Sequence, residues 1–106
     1  MAGERILVVD DEVEIVELLR EVLAAEGYLV EAAPDAAAAL QLIRENIYDA
    51  ALLDFNLPDM DGVMLHHQIR QMDAELASRT IFMSGLLQSD GNLVLYDLYG
   101  TPYWQR

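Results

Sequence analysis

The sequence predicts an α/β fold, a doubly wound parallel sheet with helices on both faces. Three observations predict it. Short aliphatic runs without polar alternation suit strands buried on both sides. Longer stretches carry apolar residues at three- and four-residue spacing, the pattern of amphipathic helices. The two kinds alternate along the chain with no internal repeat and no low-complexity linker, which is the order of a parallel sheet built by right-handed crossovers. With 106 residues, the chain reads as one domain over 1–106.

Ile6-Leu7-Val8-Val9 is the first strand, and it runs into Asp10-Asp11-Glu12. Val13, Val16, Leu19 and Leu23, with Ile15, Leu18 and Val22, then form a helical stripe closed by Gly27 as the residue after the helix. Tyr28 to Ala32 reads as a second strand. Asp35 is the N-cap of an alanine-rich helix that ends near Asn46. Ala50-Ala51-Leu52-Leu53 is a third buried strand with Asp54 at its end. Asn56 to Gly62 is rich in turn residues and marks a loop. Val63 to Met72 returns to helical spacing, and its adjacent His66 and His67 read as a solvated pair because neighbours in sequence do not share a helix face. Thr80-Ile81-Phe82-Met83 is a fourth strand leading to Ser84-Gly85. Leu93 to Tyr99 is expected to be a fourth helix, and Tyr103 to Arg106 a fifth strand.

Composition narrows the function classes. There are 19 acids against 6 bases, all six of them arginine, and the net charge is -13. Phosphate neutralisation needs clustered Lys and Arg, so direct nucleic-acid binding is not expected; cations or basic surfaces suit the charge. With no cysteine there is no disulfide framework, thiol catalysis or Cys-ligated metal. No apolar run approaches the roughly 20 residues that span a bilayer. The N-terminus lacks a signal-peptide pattern, which predicts a cytoplasmic location.

In parallel α/β sheets ligands bind beyond the carboxyl ends of the strands. Asp10 and Asp11, Asp54, and Ser84 stand there. Carboxylates gathered at one edge repel one another, and a hard divalent cation with oxygen ligands relieves the repulsion. Beside such a cation an Asp can act as nucleophile toward a phosphoryl group.

Val8-Val9-Asp10-Asp11-Glu12, Leu53-Asp54-Phe55-Asn56-Leu57-Pro58-Asp59-Met60-Asp61-Gly62 and Met83-Ser84-Gly85 resemble the receiver domain of two-component response regulators. The resemblance covers the chain in order and spacing. It implies a flavodoxin-like five-stranded sheet of order 2-1-3-4-5 and a domain that accepts a phosphoryl group but is not an enzyme in the turnover sense. By that resemblance Asp54 is the phosphoacceptor. Asp10, Asp11, Asp54 and the backbone carbonyl of Asn56 hold Mg²⁺ or Mn²⁺. Ser84 hydrogen-bonds the phosphoryl group and, with Tyr103 as the aromatic of the fifth strand, forms the switch. The implied partner is a histidine kinase or a histidine phosphotransfer protein, and no membrane is involved.

The chain departs from the family at the phosphate-binding lysine. It contains no lysine, and Arg106 is the candidate stand-in; Thr101-Pro102 is an alternative alignment with the family's Lys-Pro pair. Arginine keeps the charge but presents a planar fork instead of a point charge. The last helix of the family is also missing after the fifth strand. The expectation is therefore a receiver stopped one helix early: a fragment, a trimmed version, or a chain that self-associates through apolar surface left open on strands one, three and five. The alternative reading is a pseudo-receiver, an interaction module that signals without phosphorylation. A haloacid-dehalogenase-like phosphatase would need an acid where Asn56 stands and a catalytic lysine. A flavin-binding flavodoxin would need a Ser/Thr-rich phosphate loop where Asp10 and Asp11 stand.

Overall fold

The computed structural model describes residues 3–83 together with the backbone of two short strands, Val94–Tyr96 and Pro102–Gln105. Its elements are β1 (Arg5–Val9), α1 (Val13–Ala25), β2 (Leu29–Ala33), α2 (Ala36–Glu45), β3 (Ala50–Asp54), α3 (Gly62–Met72), α4 (Ala74–Ser78), β4 (Thr80–Met83), β5 (Val94–Tyr96) and β6 (Pro102–Gln105). They form a six-stranded sheet of order β2-β1-β3-β4-β5-β6. The first four strands are parallel, as expected.

Alternation along each strand sorts the core into two layers. Leu7 and Val9, Ala51 and Leu53, and Phe82 face α2, α3 and α4, meeting Ala36, Ala39, Leu40, Ile43, Leu65, Ile69, Leu76 and Ala77. Ile6, Val8, Leu52 and Met83 face the other way and meet Ile15 and Leu19 of α1. The expectation of open apolar surface on strands one and three is corrected here: Ile6, Val8 and Leu52 are all buried.

Local sequence explains the helix ends. The α1 helix ends in a Schellman motif: Gly27 takes φ 91° and donates its N–H to the Ala24 carbonyl at 3.0 Å, and the Tyr28 N–H reaches the Leu23 carbonyl at 3.1 Å. Asp35 caps α2 by accepting the Ala38 N–H at 2.8 Å, and Asp61 caps α3 by accepting the Met64 N–H at 2.7 Å. At the opposite edge of the sheet Glu31 accepts from the Arg5 guanidinium and from the Tyr48 hydroxyl, at 2.9 Å from the latter, and the guanidinium lies over the Tyr48 ring.

Three elements differ from the sequence reading. The expected helix over 93–99 is replaced by strand β5 at Val94–Tyr96, antiparallel to β4. The strand expected at 103–106 is β6, at Pro102–Gln105, and it pairs antiparallel with β5 instead of parallel with β4. Five residues separate β5 from β6 and ten separate β4 from β5, fewer than the dozen or so a parallel crossover requires. Short connections therefore force antiparallel pairing. The third difference is α4, a five-residue helix capped by Asp73, whose side chain accepts the Leu76 N–H at 3.0 Å.

Candidate functional site

The register of the parallel strands builds the site. Val9 of β1 pairs with Leu53 of β3, so Asp10 and Asp54 emerge side by side from neighbouring strand ends. Asp54 in turn pairs with Met83 of β4, the residue before Ser84. Asp10 and Asp54 are buried, at 2% and 3% exposure. One carboxylate oxygen of each is held by a backbone N–H two residues on: Glu12 donates to Asp10 Oδ1 at 2.8 Å, and Asn56 donates to Asp54 Oδ1 at 3.2 Å. Asp10 Oδ2 is buried with no hydrogen-bond partner among the described residues.

Burial sets the electrostatics. It pushes the Asp10 carboxyl up from 3.8 to about 7, against the pull of the Glu12 N–H and with help from the Asp54 charge. Burial also raises Asp54, again against a backbone N–H, here from Asn56, and with the Asp11 charge adding to the rise. Two desolvated carboxylates and an orphaned oxygen make a site that favours a proton or a cation.

Ligand oxygens of Asp10, Glu12 and Asp54 lie within 4.8 Å of one another. Three carboxylate donors at that separation fit a hard divalent cation that prefers oxygen. The structure thus brings together Asp10 and Asp54 as expected, and adds Glu12, which the sequence reading named in the motif without giving it a role. Asp11 is exposed at the rim and is not among the three clustered side chains. Asn56 sits at the start of the following loop, its backbone bridged to Asp61. Ser84, Arg106 and the alternative Thr101 lie outside the described residues. Tyr103 falls on β6, with β5 between it and β4; its side chain lies outside the described residues.

Gly62 explains how the loop from Asp54 to α3 can be so tight. A Cβ there would stand 2.3 Å from the Asp54 carbonyl oxygen and 3.1 Å from Phe55 Cα, so only glycine allows the approach. Its N–H donates to the Phe55 carbonyl at 2.7 Å. Below the site, Phe55 stacks on Phe82 with centroids 4.8 Å apart, and His66 meets Phe82 edge-on at 5.6 Å. His66 is buried and its Nε2 lies 3.0 Å from the Ala77 carbonyl, which corrects the reading of a solvated pair. His67 alone is exposed.

The family model of the response regulator receiver domain matches residues 6–95. The chain belongs to that family. The receiver domain is 44% identical over 69 residues to the regulatory protein VanRc of Enterococcus gallinarum, covering 65% of this chain and 30% of that protein. It is 40% identical over 76 residues to the transcriptional regulatory protein PrrA of Mycobacterium tuberculosis, covering 72% of this chain and 33% of that protein. The chain thus spans about a third of the length of these curated relatives. Among solved structures it resembles response regulator TrrA of Thermotoga maritima in complex with Mg²⁺-BeF, with 35% identity, TM-score 0.67, and coverage of 74% of this chain and 65% of that one. A receiver domain protein of Methanospirillum hungatei matches with 31% identity, TM-score 0.74, and coverage of 85% and 70%. The flavodoxin-like fold and the place of the chain in two-component signalling are therefore established. Among the described residues no helix is long and apolar enough to cross a membrane.

Proposed function

We propose that this receiver domain accepts a phosphoryl group on Asp54 from a histidine-phosphorylated kinase or phosphotransfer protein in the cytoplasm. The observation that carries the reading is the pair of buried carboxylates, Asp10 and Asp54, one with an oxygen that has no hydrogen-bond partner among the described residues, at adjacent parallel strand ends. Mg²⁺ or Mn²⁺ would be held by Asp10, Glu12 or Asp11, Asp54 and the Asn56 carbonyl, where it supplies charge that lets an anionic carboxylate meet an anionic phosphoryl group.

The remaining chemistry belongs to the chain. The Asn56 N–H fixes Asp54 Oδ1 and orients the carboxylate, leaving the other oxygen to attack phosphorus in line. A new O–P bond forms as the N–P bond of the phosphohistidine breaks, and the imidazole leaves with the electron pair. Ser84, next in sequence to the residue paired with Asp54, donates its hydroxyl to one phosphoryl oxygen; Arg106 stands in for the lysine at another. Phosphorylation shifts a population between two states of the domain and so biases an output.

The test is intact mass after incubation with Mg²⁺ and acetyl phosphate or phosphoramidate. One added phosphoryl group, absent in Asp54→Ala and without Mg²⁺, supports the reading. No added mass under conditions that label another receiver overturns it, and many phosphate esters turned over per protein would point to a phosphatase.

A further inference from the structure

Asp59 makes contacts that neither the phosphoryl chemistry nor the capping of α2 by Asp35 requires. It lies in the loop between β3 and α3. Yet its Oδ1 accepts the Ala36 N–H and its Oδ2 the Ala37 N–H, each at 2.9 Å. These are the first two amides of α2, and they come from a distant part of the chain. Asp35 takes the third, from Ala38, at 2.8 Å. Three of the donors that a helix N-terminus leaves open are thus satisfied by two carboxylates. One of the two belongs to the loop that follows the phosphoacceptor.

The other hydrogen bonds of that loop stay within it and its own flanking elements. The Gly62 N–H holds the Phe55 carbonyl, Asn56 bridges Asp61, and Asp61 caps α3. Phe55, Leu57 and Met60 pack half-buried against the core. Among the described residues, Asp59 supplies the side-chain hydrogen bonds that reach from this loop to an element other than β3 and α3. The N-terminal dipole of α2 favours a carboxylate at this place, and the two amides hold the Asp59 carboxyl below its ordinary range.

We infer that Asp59 is a positioning residue for the cation site. By gripping the start of α2 it holds the Asn56 backbone in place beside Asp54. The inference rests on the reading of Asp10, Asp54 and the Asn56 carbonyl as a Mg²⁺ site. Such coupling is reciprocal: what Asp59 adds to cation affinity, the cation returns to the start of α2. A cation that orders the loop therefore slows hydrogen exchange at the Ala36 and Ala37 amides.

The experiment titrates Mg²⁺ alone into the full chain by calorimetry and follows amide exchange by NMR, comparing the wild type with Asp59→Ala and Asp35→Ala. Asp35→Ala removes the same charge and a hydrogen bond from the same helix end without touching the loop. Asp59→Ala is expected to weaken Mg²⁺ binding about fivefold or more, a typical coupling, while Asp35→Ala changes it less than about twofold, as an uncoupled site does. Mg²⁺ slows exchange at Ala36 and Ala37 in the wild type but not in Asp59→Ala. If Asp59→Ala does not fold by circular dichroism, Asp59→Asn, which keeps one acceptor, takes its place in the comparison. Equal Mg²⁺ affinity in the wild type and the Asp59 variant overturns the inference, as does equal weakening by the Asp35 and Asp59 variants. A wild type that binds no Mg²⁺ overturns the cation-site reading itself and this inference with it.

Discussion

Asp10→Asn separates the charge of the buried carboxyl from its shape. The Asp10 carboxyl is pushed from 3.8 to about 7, so the folded chain holds a proton that the unfolded chain releases over that interval. Its contribution to stability is full below pH 3.8 and is lost as the pH rises through about 7. At about 1.4 kcal/mol per pH unit, the loss by about pH 8 is on the order of 4 kcal/mol. Asparagine has no such titration, and its carbonyl can still accept the Glu12 N–H now bound at 2.8 Å. The buried amide leaves its own donors short of partners, which offsets the gain by about 1–3 kcal/mol at every pH. The expected result is thus a difference of slope. Urea unfolding in chelator shows the wild type losing about 4 kcal/mol more than Asp10→Asn between about pH 4 and pH 8. A residual slope remains in the variant, because Asp54 is raised by burial in the same direction. Mg²⁺ at about a hundred times its dissociation constant restores about 2.7 kcal/mol to the wild type at the upper pH and much less to the variant. Identical pH profiles for the two proteins in chelator would refute the assignment of Asp10 as a desolvated, ionisation-strained carboxyl.

Three further outcomes follow from the geometry. Gly62→Ala places a Cβ 2.3 Å from the Asp54 carbonyl oxygen; thermal unfolding should show a loss of roughly 1–3 kcal/mol, and mass spectrometry should show slower labelling by acetyl phosphate. His66→Ala opens a hole beside Phe82 and removes the ring's contact with the Ala77 carbonyl, for a loss of about 2–4 kcal/mol in denaturant unfolding, whereas His67→Ala, at an exposed position, stays within about 0.5 kcal/mol of wild type. Tyr48→Phe removes the 2.9 Å hydroxyl contact with Glu31 from a ring only 4% exposed; chemical unfolding should register a loss of about 1 kcal/mol with phosphorylation unaffected.

The parallel half of the fold was legible because each signal there is redundant. The strands at Ile6–Val9 and Ala50–Leu53 are apolar throughout, and the helices between them carry both stripe and caps. The C-terminal part was less legible. Leu93-Val94-Leu95-Tyr96 is apolar at every position, and so short a run does not separate helix from strand by periodicity. The length of the connections decides it, through the number of residues a parallel crossover needs. The helix Ala74–Ser78 was missed for its brevity, although Asp73 three residues before Leu76 is a capping pattern. His66 was readable: Gly62, Leu65, His66 and Ile69 follow the spacing of a buried stripe, and the adjacency of His67 masked it. In the site, Asp10 and Asp54 followed from strand ends alone. The place of Glu12 in place of Asp11 depends on how the backbone turns into α1, and the role of Asp59 depends on a contact between distant segments, which no local pattern encodes.

The pairing of Val9 with Leu53 is also a ruler. A slip of one residue between β1 and β3 would move one acid by about 3.3 Å along the strand and turn its side chain to the opposite face. The pocket therefore exists only in the correct register. The two strands lie far apart in the chain, with β2 and both neighbouring helices between them, so their alignment is one of the slow, long-range events of folding. Capture of a divalent ion by the refolding chain would time that event directly, making the acid cluster a built-in probe of when the sheet locks.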